Sequence, residues 1–234
     1  MISIVVPAYN EESLLAATLT HLGVAAGALG EPYEIIVVDD ASTDRTAAIA
    51  SAHGARVVGV NVRQIGAARN AGARVATGEL LVFVDADTLV PPEVLRGAVA
   101  AFRAGAVGGG SGARQDSNDP PWGPAVFAVA AWIMRTAGWA AGCFMFVSTD
   151  VFRRVGGFDE RYFASEEIHL SRALKRVGRF VLLDDNVMTS ARKAEHYSMS
   201  HSLWLMVRMA WPGSLKRRKG LEFWYTRHDK TDKT

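Results

Sequence analysis

The first hundred residues alternate short apolar segments with segments of helical periodicity, and this order constrains the fold more than any other feature of the chain. The predicted strands are Ile2–Pro7, Glu34–Val38, Arg56–Val60 and Glu79–Val84, and the predicted helices are one capped by Asn10, then Thr43–His53, Ile65–Ala76 and Pro92–Ala104. Strands that are apolar throughout and joined by helices form parallel sheets covered on both faces. We therefore predict an α/β fold with a mostly parallel, Rossmann-like central sheet flanked by helices.

This regular alternation fades after residue 105. Residues 108–124 are rich in Gly and Pro and predict a strand followed by a loop. A further strand is predicted at residues 142–148, and further helices at Thr149–Val155, Ser165–Val177 and Ser200–Ala210. We divide the chain into residues 1–105, residues 106–190, which form a smaller subdomain of the same domain, and residues 191–234, a C-terminal helix with a basic tail.

Three features bear on the cell compartment. Cys143 is the only cysteine, so the chain forms no internal disulfide, which fits a reducing cytosol. The N-terminus lacks the basic region of a signal peptide. Residues 122–147 come nearest to a membrane span, but Arg135 and the Gly and Pro interruptions favour a buried or interfacial helix followed by a core strand. We predict a cytoplasmic protein.

The charge of the chain is unevenly distributed. Its formal net charge of +2 gives no indication of nucleic-acid binding, whereas residues 208–234 carry eight Lys or Arg against three acids. Such a tail can contact the inner face of a membrane or an anionic substrate, or it can be a solvated end that maintains solubility. The apolar residues 203–211 before it suit a membrane interface, and equally a core or homodimer helix.

Polar clusters follow three of the predicted strands directly. They are Tyr9-Asn10-Glu11, Asp39-Asp40 and Asp85-Ala86-Asp87. Ligands of open α/β sheets bind beyond the carboxyl ends of the strands, where such clusters meet. We therefore expect all three clusters to lie on one edge of the sheet and to form the binding site.

Asp85 and Asp87 are separated by one residue at the end of an apolar strand. Because side chains alternate along a strand, both carboxylates would point the same way. Like charges so placed need a cation, and Mg²⁺ or Mn²⁺ takes one or two protein carboxylates together with phosphate oxygens. The alternative is an ordinary Asp-containing turn with no role in metal binding. His196 is a candidate third metal ligand, although a lone histidine is more often a packed or surface residue.

The chain has no GxxxxGK[ST] loop, and no GxGxxG follows the first predicted strand, so a phosphate would have to be held by a metal and by side chains. Arg69 is a candidate, unless it is a surface arginine with a packed stem. Either Asp39 or Asp40 can accept a hydrogen bond from a nucleobase while the other caps a turn. Capping of the helix that begins here accounts for the presence of one of the two acids Glu166 and Glu167. The other is then a candidate general base.

Four segments together resemble the family 2 glycosyltransferases with the GT-A fold: SIVVPAYNEE, IIVVDDASTDRT, GAARNAGARVATGELLVFVDADT and GCFMFVSTDVFRRVGGFDE with the following SEEIHLSRALKRVGRF. The resemblance covers about residues 1–190. It implies transfer of a hexose from a UDP- or GDP-linked sugar to a sugar or lipid-linked acceptor in cell-envelope glycan synthesis. It also implies dependence on Mg²⁺ or Mn²⁺, inversion at the anomeric carbon, a donor-binding half at residues 1–105 and an acceptor half at residues 106–190.

The same resemblance implies roles for individual residues. Those implied to bind the nucleotide sugar are Pro7, Ala8, Tyr9, Glu11, Asp39, Arg69, Asp85 and Ala86. Asp87 would ligate the metal, with Asp85 near the ribose or a metal-bound water. The family usually has Glu-Asp at the position of the base, whereas this chain has Glu166-Glu167, so we expect Glu167 to be the base and His169 to contact the acceptor.

Two other functions fit the same fold. A non-catalytic protein that binds nucleotide sugars would keep the donor residues but would have no need of the spare carboxylate at Glu167. A nucleotidyltransferase should carry a basic, glycine-rich first loop such as GxGxR, and the acidic segment PAYNEES argues against it.

Overall fold

The computed structural model describes residues 1–115, residue 129 and residues 132–190. Its strands are β1 (Ile2–Ala8), β2 (Tyr33–Asp40), β3 (Arg56–Val60), β4 (Leu80–Val84), β5 (Thr88–Leu89), β6 (Gly108–Gln115), β7 (Phe144–Ser148) and β8 (Phe180–Thr189). Its helices are α1 (Leu15–Gly27), α2 (Thr46–Ala52), α3 (Ile65–Val75), α4 (Pro92–Arg103), α5 (Thr149–Val155) and α6 (Glu166–Val177), and residues 129 and 132–137 are also helical.

The described strands form one sheet in the order β3-β2-β1-β4-β7-β6-β8-β5. The first four of these are parallel neighbours, as the sequence predicts. Beyond β4 the sheet is mixed, because β7 is antiparallel to both β4 and β6, while β6 and β8 are parallel. The predicted α/β fold with its flanking helices is confirmed, and the parallel pattern belongs mainly to its first half.

Strand β4 lies at the centre of the sheet, and all five of its residues are buried. Alternate side chains enter two cores: Val82 faces the core shared with α1 and α4, and Phe83 faces the core shared with α3, α5 and α6. The Phe83 ring contacts Phe152 and Phe158, at centroid distances of 5.3 and 5.0 Å. Burial on both faces explains why this strand is apolar throughout.

Helix α3 packs unusually close to the sheet because its residues are small. A Cβ atom added to Gly72 would overlap Val5 and would lie 2.9 Å from Val38 Cγ2. Only glycine therefore fits at this crossing of the helix over β1 and β2. The close approach carries Arg69, one turn earlier in α3, down to the edge of the sheet where β4 ends.

Asn10 does not cap a helix, so that prediction is wrong. Helix α1 begins at Leu15, and Asn10 has a φ of 53°, in the left-handed region that Asn tolerates better than most residues. Its Oδ1 instead accepts a hydrogen bond from the Thr43 backbone N–H at 2.7 Å. Asn10 thus joins the loops after β1 and β2, because its short amide side chain bonds a neighbouring loop as readily as a helix end.

Residues 108–115 form β6, as predicted, whereas β5 and β8 were not predicted. None of the helices in the described part of the chain is long and apolar enough to cross a membrane. The predicted helix Ser200–Ala210, the basic tail and His196 lie outside the described residues.

Candidate active site

The loops after β1, β2 and β4 meet at one edge of the sheet, as expected from the polar clusters. The Asn10 backbone N–H donates to Ser42 Oγ at 2.9 Å, and the Glu11 N–H donates to Thr46 Oγ1 at 2.8 Å. From α1, Thr18 Oγ1 donates to the Ala86 carbonyl at 2.8 Å. Hydrogen bonds between separate elements therefore fix the relative positions of all three loops.

Asp85 and Asp87 lie in a turn rather than on β4, which ends at Val84. The strand-alternation argument for their orientation is therefore wrong. The turn is closed by the Thr88 N–H, which donates to the Asp85 carbonyl at 3.1 Å. From β8, Thr189 Oγ1 lies 3.5 Å from Asp87 Oδ1, and the Ser190 N–H donates to the Asp87 carbonyl at 3.2 Å. Strand β8, which sequence reasoning missed, thus helps to position Asp87.

Arg69 is the buried centre of the site, with only 2% of its surface exposed. Its Nη2 donates to Asp85 Oδ1 at 2.7 Å and to the Gly142 carbonyl at 2.8 Å, and its Nη1 donates to Glu166 Oε1 at 2.8 Å. One guanidinium thus joins the acidic turn after β4, the loop before β7 and the start of α6. The geometry of the guanidinium, with donors in a fixed plane, suits this kind of bridging.

Glu166 and Glu167 begin α6 after Ser165, which has a φ of 61° and a buried hydroxyl that finds no hydrogen-bond partner among the described residues. Burial raises the pKa of Glu166, and the Arg69 guanidinium opposes that shift. Burial and then the Glu166 carboxylate raise the pKa of Glu167 to about 8. Glu166 is committed to an ion pair, so Glu167 is the carboxylate of this pair that is better placed to exchange a proton near neutral pH.

Tyr9 lies at the end of β1, and the Arg63 guanidinium stacks over its ring at 4.1 Å from the centroid. No local sequence pattern indicates this role for Arg63, because its position depends on a φ of 49° in the loop after β3. Next to Tyr9, Asp39 pairs in register with Ala8 and accepts the Ser42 N–H at 3.3 Å. Pro7, Ala8 and Asp39 therefore line the same part of the edge.

Asp40 is buried and holds the loop that carries Arg63. Its carboxylate accepts the backbone N–H groups of Val62, Arg63 and Gln64, at 2.7, 3.0 and 3.2 Å. The sequence left open which of Asp39 and Asp40 has the structural role, and these bonds assign most of it to Asp40.

We expect Asp40→Ala to lower the free energy of unfolding by at least about 2 kcal/mol, because it leaves three N–H groups without their charged acceptor. Asp39→Ala is the matched control, since it removes a single weak bond and should cost under about 1 kcal/mol. Urea denaturation measures both values. Equal losses for the two variants would contradict this assignment.

The residues at the acidic turn suit a divalent cation whose remaining ligands come from a substrate. Asp87 is 9% exposed and Asp85 shares one oxygen with Arg69, so the site offers carboxylate oxygens from two residues. No group of three or more His, Cys, Asp or Glu that could hold a metal occurs within the described ranges. Mg²⁺ and Mn²⁺ tolerate this arrangement, because phosphate oxygens and water complete their coordination.

The sheet, parallel in its first half and mixed in its second, with acidic residues in the loops at one edge, matches the GT-A class of folds. Two solved structures share this fold with the chain, each at a TM-score of 0.66 and 22% identity. They are S. aureus TarS residues 1–349 in complex with UDP-GlcNAc, covering 89% of this chain and 64% of that one, and the Pyrobaculum calidifontis mannosyltransferase PcManGT in complex with GDP-Man and Mn²⁺, covering 86% and 59%.

The chain belongs to glycosyl transferase family 2, whose family model matches residues 3–156, and it is therefore a member of a family of enzymes. Among curated proteins it is similar to the undecaprenyl-phosphate 4-deoxy-4-formamido-L-arabinose transferase of Aeromonas hydrophila, with 38% identity over 126 residues. That match covers 50% of this chain and 39% of the relative, so the chain spans only part of the length of the relative.

Proposed function

We propose that the chain transfers a sugar from a nucleoside-diphosphate sugar to a lipid-linked acceptor, with inversion at the anomeric carbon. The single observation that carries the proposal is the bridge through Arg69, which bonds Asp85 and Glu166 at 2.7 and 2.8 Å. The acidic turn and the start of α6 therefore share one edge of the sheet. A donor held at the turn would have its reacting carbon beside Glu167, the residue next to the bridge.

On the donor side, Tyr9, Asp39 and the end of β1 would contact the nucleoside, and Glu11 and Ala86 would border the same subsite. Arg69 is buried, so we assign it the task of positioning Asp85, in place of the expected contact with ribose or phosphate. The structures of TarS in complex with UDP-GlcNAc and of the mannosyltransferase in complex with GDP-Man support a UDP- or GDP-linked donor.

Asp87, with Asp85, would hold a divalent cation against the diphosphate of the donor. When bound, such a cation offsets the negative charge that develops on the leaving nucleoside diphosphate. The protein contributes by keeping the two carboxylates fixed: Arg69 holds Asp85, and β8 holds the backbone of Asp87. The mannosyltransferase structure with Mn²⁺ supports this assignment.

On the acceptor side, Glu167 lies against Gly142, where an added Cβ would be 3.5 Å from the Glu167 carboxyl carbon. If the acceptor is a hydroxyl, the Glu167 carboxylate would take its proton as the oxygen attacks the anomeric carbon. The Aeromonas relative is named as a transferase to undecaprenyl phosphate. If the acceptor here is likewise a lipid phosphate, the attacking oxygen is already anionic and needs no base. A Glu167 that is protonated near neutral pH would then avoid repelling the phosphate.

Donor binding is tested by thermal shift with UDP- and GDP-sugars, with and without Mn²⁺. A ligand at a hundred times its Kd stabilises the folded state by about 2.7 kcal/mol, which raises the Tm by about 5–10 °C for a chain of this size. We expect one donor class to give this shift only with Mn²⁺, and Asp87→Asn to abolish it. Asp185→Asn, which changes an exposed carboxylate on β8, is the matched control and should leave the shift intact.

The outcomes of this experiment separate the possible functions. A shift without any sugar transfer or donor hydrolysis would favour the non-catalytic binding protein. A shift with nucleoside triphosphates alone would favour nucleotidyl transfer. If no donor shifts the Tm with metal present, the proposed function is wrong.

A further inference from the structure

The helical residues 129 and 132–137 carry large apolar side chains that are exposed to water. Val129, Trp132 and Ile133 are 52%, 66% and 44% exposed, at the i, i+3, i+4 spacing that places residues on one helix face. We call these three residues the apolar stripe. Single exposed apolar residues are ordinary, whereas a contiguous stripe that includes a tryptophan marks an interaction surface.

The apolar stripe is bordered by cations of α6. Arg172, Lys175 and Arg176 are all exposed and have the same i, i+3, i+4 spacing, so they form one basic face. This face packs on residues that follow the apolar stripe in the chain: the Arg172 guanidinium stacks over Trp139 at 4.7 Å, and Lys175 Nζ donates to the Ala137 carbonyl at 2.9 Å. On β8, Asp184 is paired with Arg135 at 2.6 Å.

We propose that the apolar stripe and the basic face together dock on a membrane surface that contains anionic lipids. An apolar row with an indole, flanked by Lys and Arg, is the pattern of a segment that lies in the plane of the interface. Its apolar residues enter the boundary of the acyl chains while the cations meet lipid phosphates. The three exposed cations of the basic face complement the negative charge of lipid phosphates, and this charge complementarity favours a membrane as the occupant.

The position of this surface fits an acceptor that stays in the bilayer, and in this respect the inference rests on the proposed function. Each CH₂ group that leaves the bilayer costs about 0.8 kcal/mol, so a long-chain lipid acceptor cannot come to the enzyme. Gly142 follows the apolar stripe in the chain and lies against Glu167. On α6, Arg172 is about 8 Å from Glu167 along the helix axis. Docking here would place the lipid headgroups next to the proposed base.

The test uses an environment-sensitive fluorophore attached to W132C in the full chain, with V24C as the matched control. Val24 is 63% exposed on α1, away from the stripe. The native Cys143 gives little background, because burial raises the pKa of its thiol, and labelled wild type measures what remains. We expect vesicles of equal parts phosphatidylcholine and phosphatidylglycerol to shift the emission at position 132 to shorter wavelength and to leave position 24 unchanged.

The electrostatic part is tested by flotation with the same vesicles. Arg172→Gln with Arg176→Gln should lower the partition coefficient about 20- to 30-fold, since each cation near an anionic surface contributes about fivefold. Arg153→Gln with Arg154→Gln, which removes two exposed arginines from α5, should change it less than twofold.

Three results would overturn the inference: no flotation with anionic vesicles, flotation while the probe at position 132 stays in water, or equal binding to phosphatidylcholine alone. The second result would assign membrane contact to another part of the chain. None of these measurements requires a donor or an acceptor, so a failure here is distinct from a failure of the donor shift.

Discussion

Replacing Glu167 with glutamine is expected to lower sugar transfer to a hydroxyl acceptor by about 10²–10⁴-fold, because the amide cannot take the proton of the attacking hydroxyl. Transfer to a lipid phosphate should fall less than tenfold, since a phosphate oxygen attacks without deprotonation. The measurement is kcat at saturating donor for one acceptor of each kind. Full activity of Glu167→Gln with a hydroxyl acceptor would show that Glu167 is not the base.

The pH dependence provides an independent check of the same role. The pKa of Glu167 is raised to about 8, so the carboxylate forms, and kcat/KM for a hydroxyl acceptor should rise, as the pH passes through that region. The same shift makes ionisation destabilising between the ordinary pKa of glutamate and pH 8. Glu167→Gln should therefore raise the Tm more at pH 8 than at pH 5, which also shows that the inactive variant is folded.

Replacing Arg69 with methionine is expected to lower the free energy of unfolding by about 3–5 kcal/mol. The change removes the cation between Asp85 and Glu166 and leaves the buried Glu166 carboxylate without its partner. Urea denaturation at pH 7 measures the loss. Part of it should return in Arg69→Met combined with Glu166→Gln, because the second change removes the uncompensated charge.

Arg45→Met is the matched control for this experiment. Arg45 also forms an ion pair, with Glu12 at 3.4 Å, but its side chain is 83% exposed. Exposed pairs contribute about 0–1 kcal/mol, so this variant should be nearly as stable as the wild type. If Arg69→Met were equally mild, the guanidinium would not be holding the site together.

The sequence predicts the first half of the fold well, because β1 and β4 are buried along nearly their whole length and are largely apolar. Strand β8 escaped prediction because Asp184 and Asp185 interrupt its apolar pattern, and both side chains face water. Strand β5 has only two residues, too few to show any period. The prediction of a helix cap at Asn10 fails because Asn favours caps and loops alike.

The acidic residues of the candidate site could be predicted individually, and the contacts between them could not. Arg69 and Glu166 are 97 residues apart in the chain, and nothing local to either residue indicates the other. The assignment of Asp40 to the loop after β3 depends on the same kind of distant contact. Local patterns report the elements that a residue belongs to, whereas the partner of a buried charge is fixed by how those elements pack.

Strand β7 belongs to the second half of the chain but pairs along β4, the last central strand of the first half, over the register Leu80–Ser148 to Val84–Phe144. The turn with Asp85 and the residues just before β7 are therefore held by one continuous hydrogen-bonded sheet, and Arg69 joins both of them to Glu166. A hinge motion between the two halves of the domain would have to break the hydrogen bonds between β4 and β7. We expect substrate enclosure to come from movements of loops over a rigid platform, so that the spacing between Asp85 and Glu166 stays constant throughout the catalytic cycle.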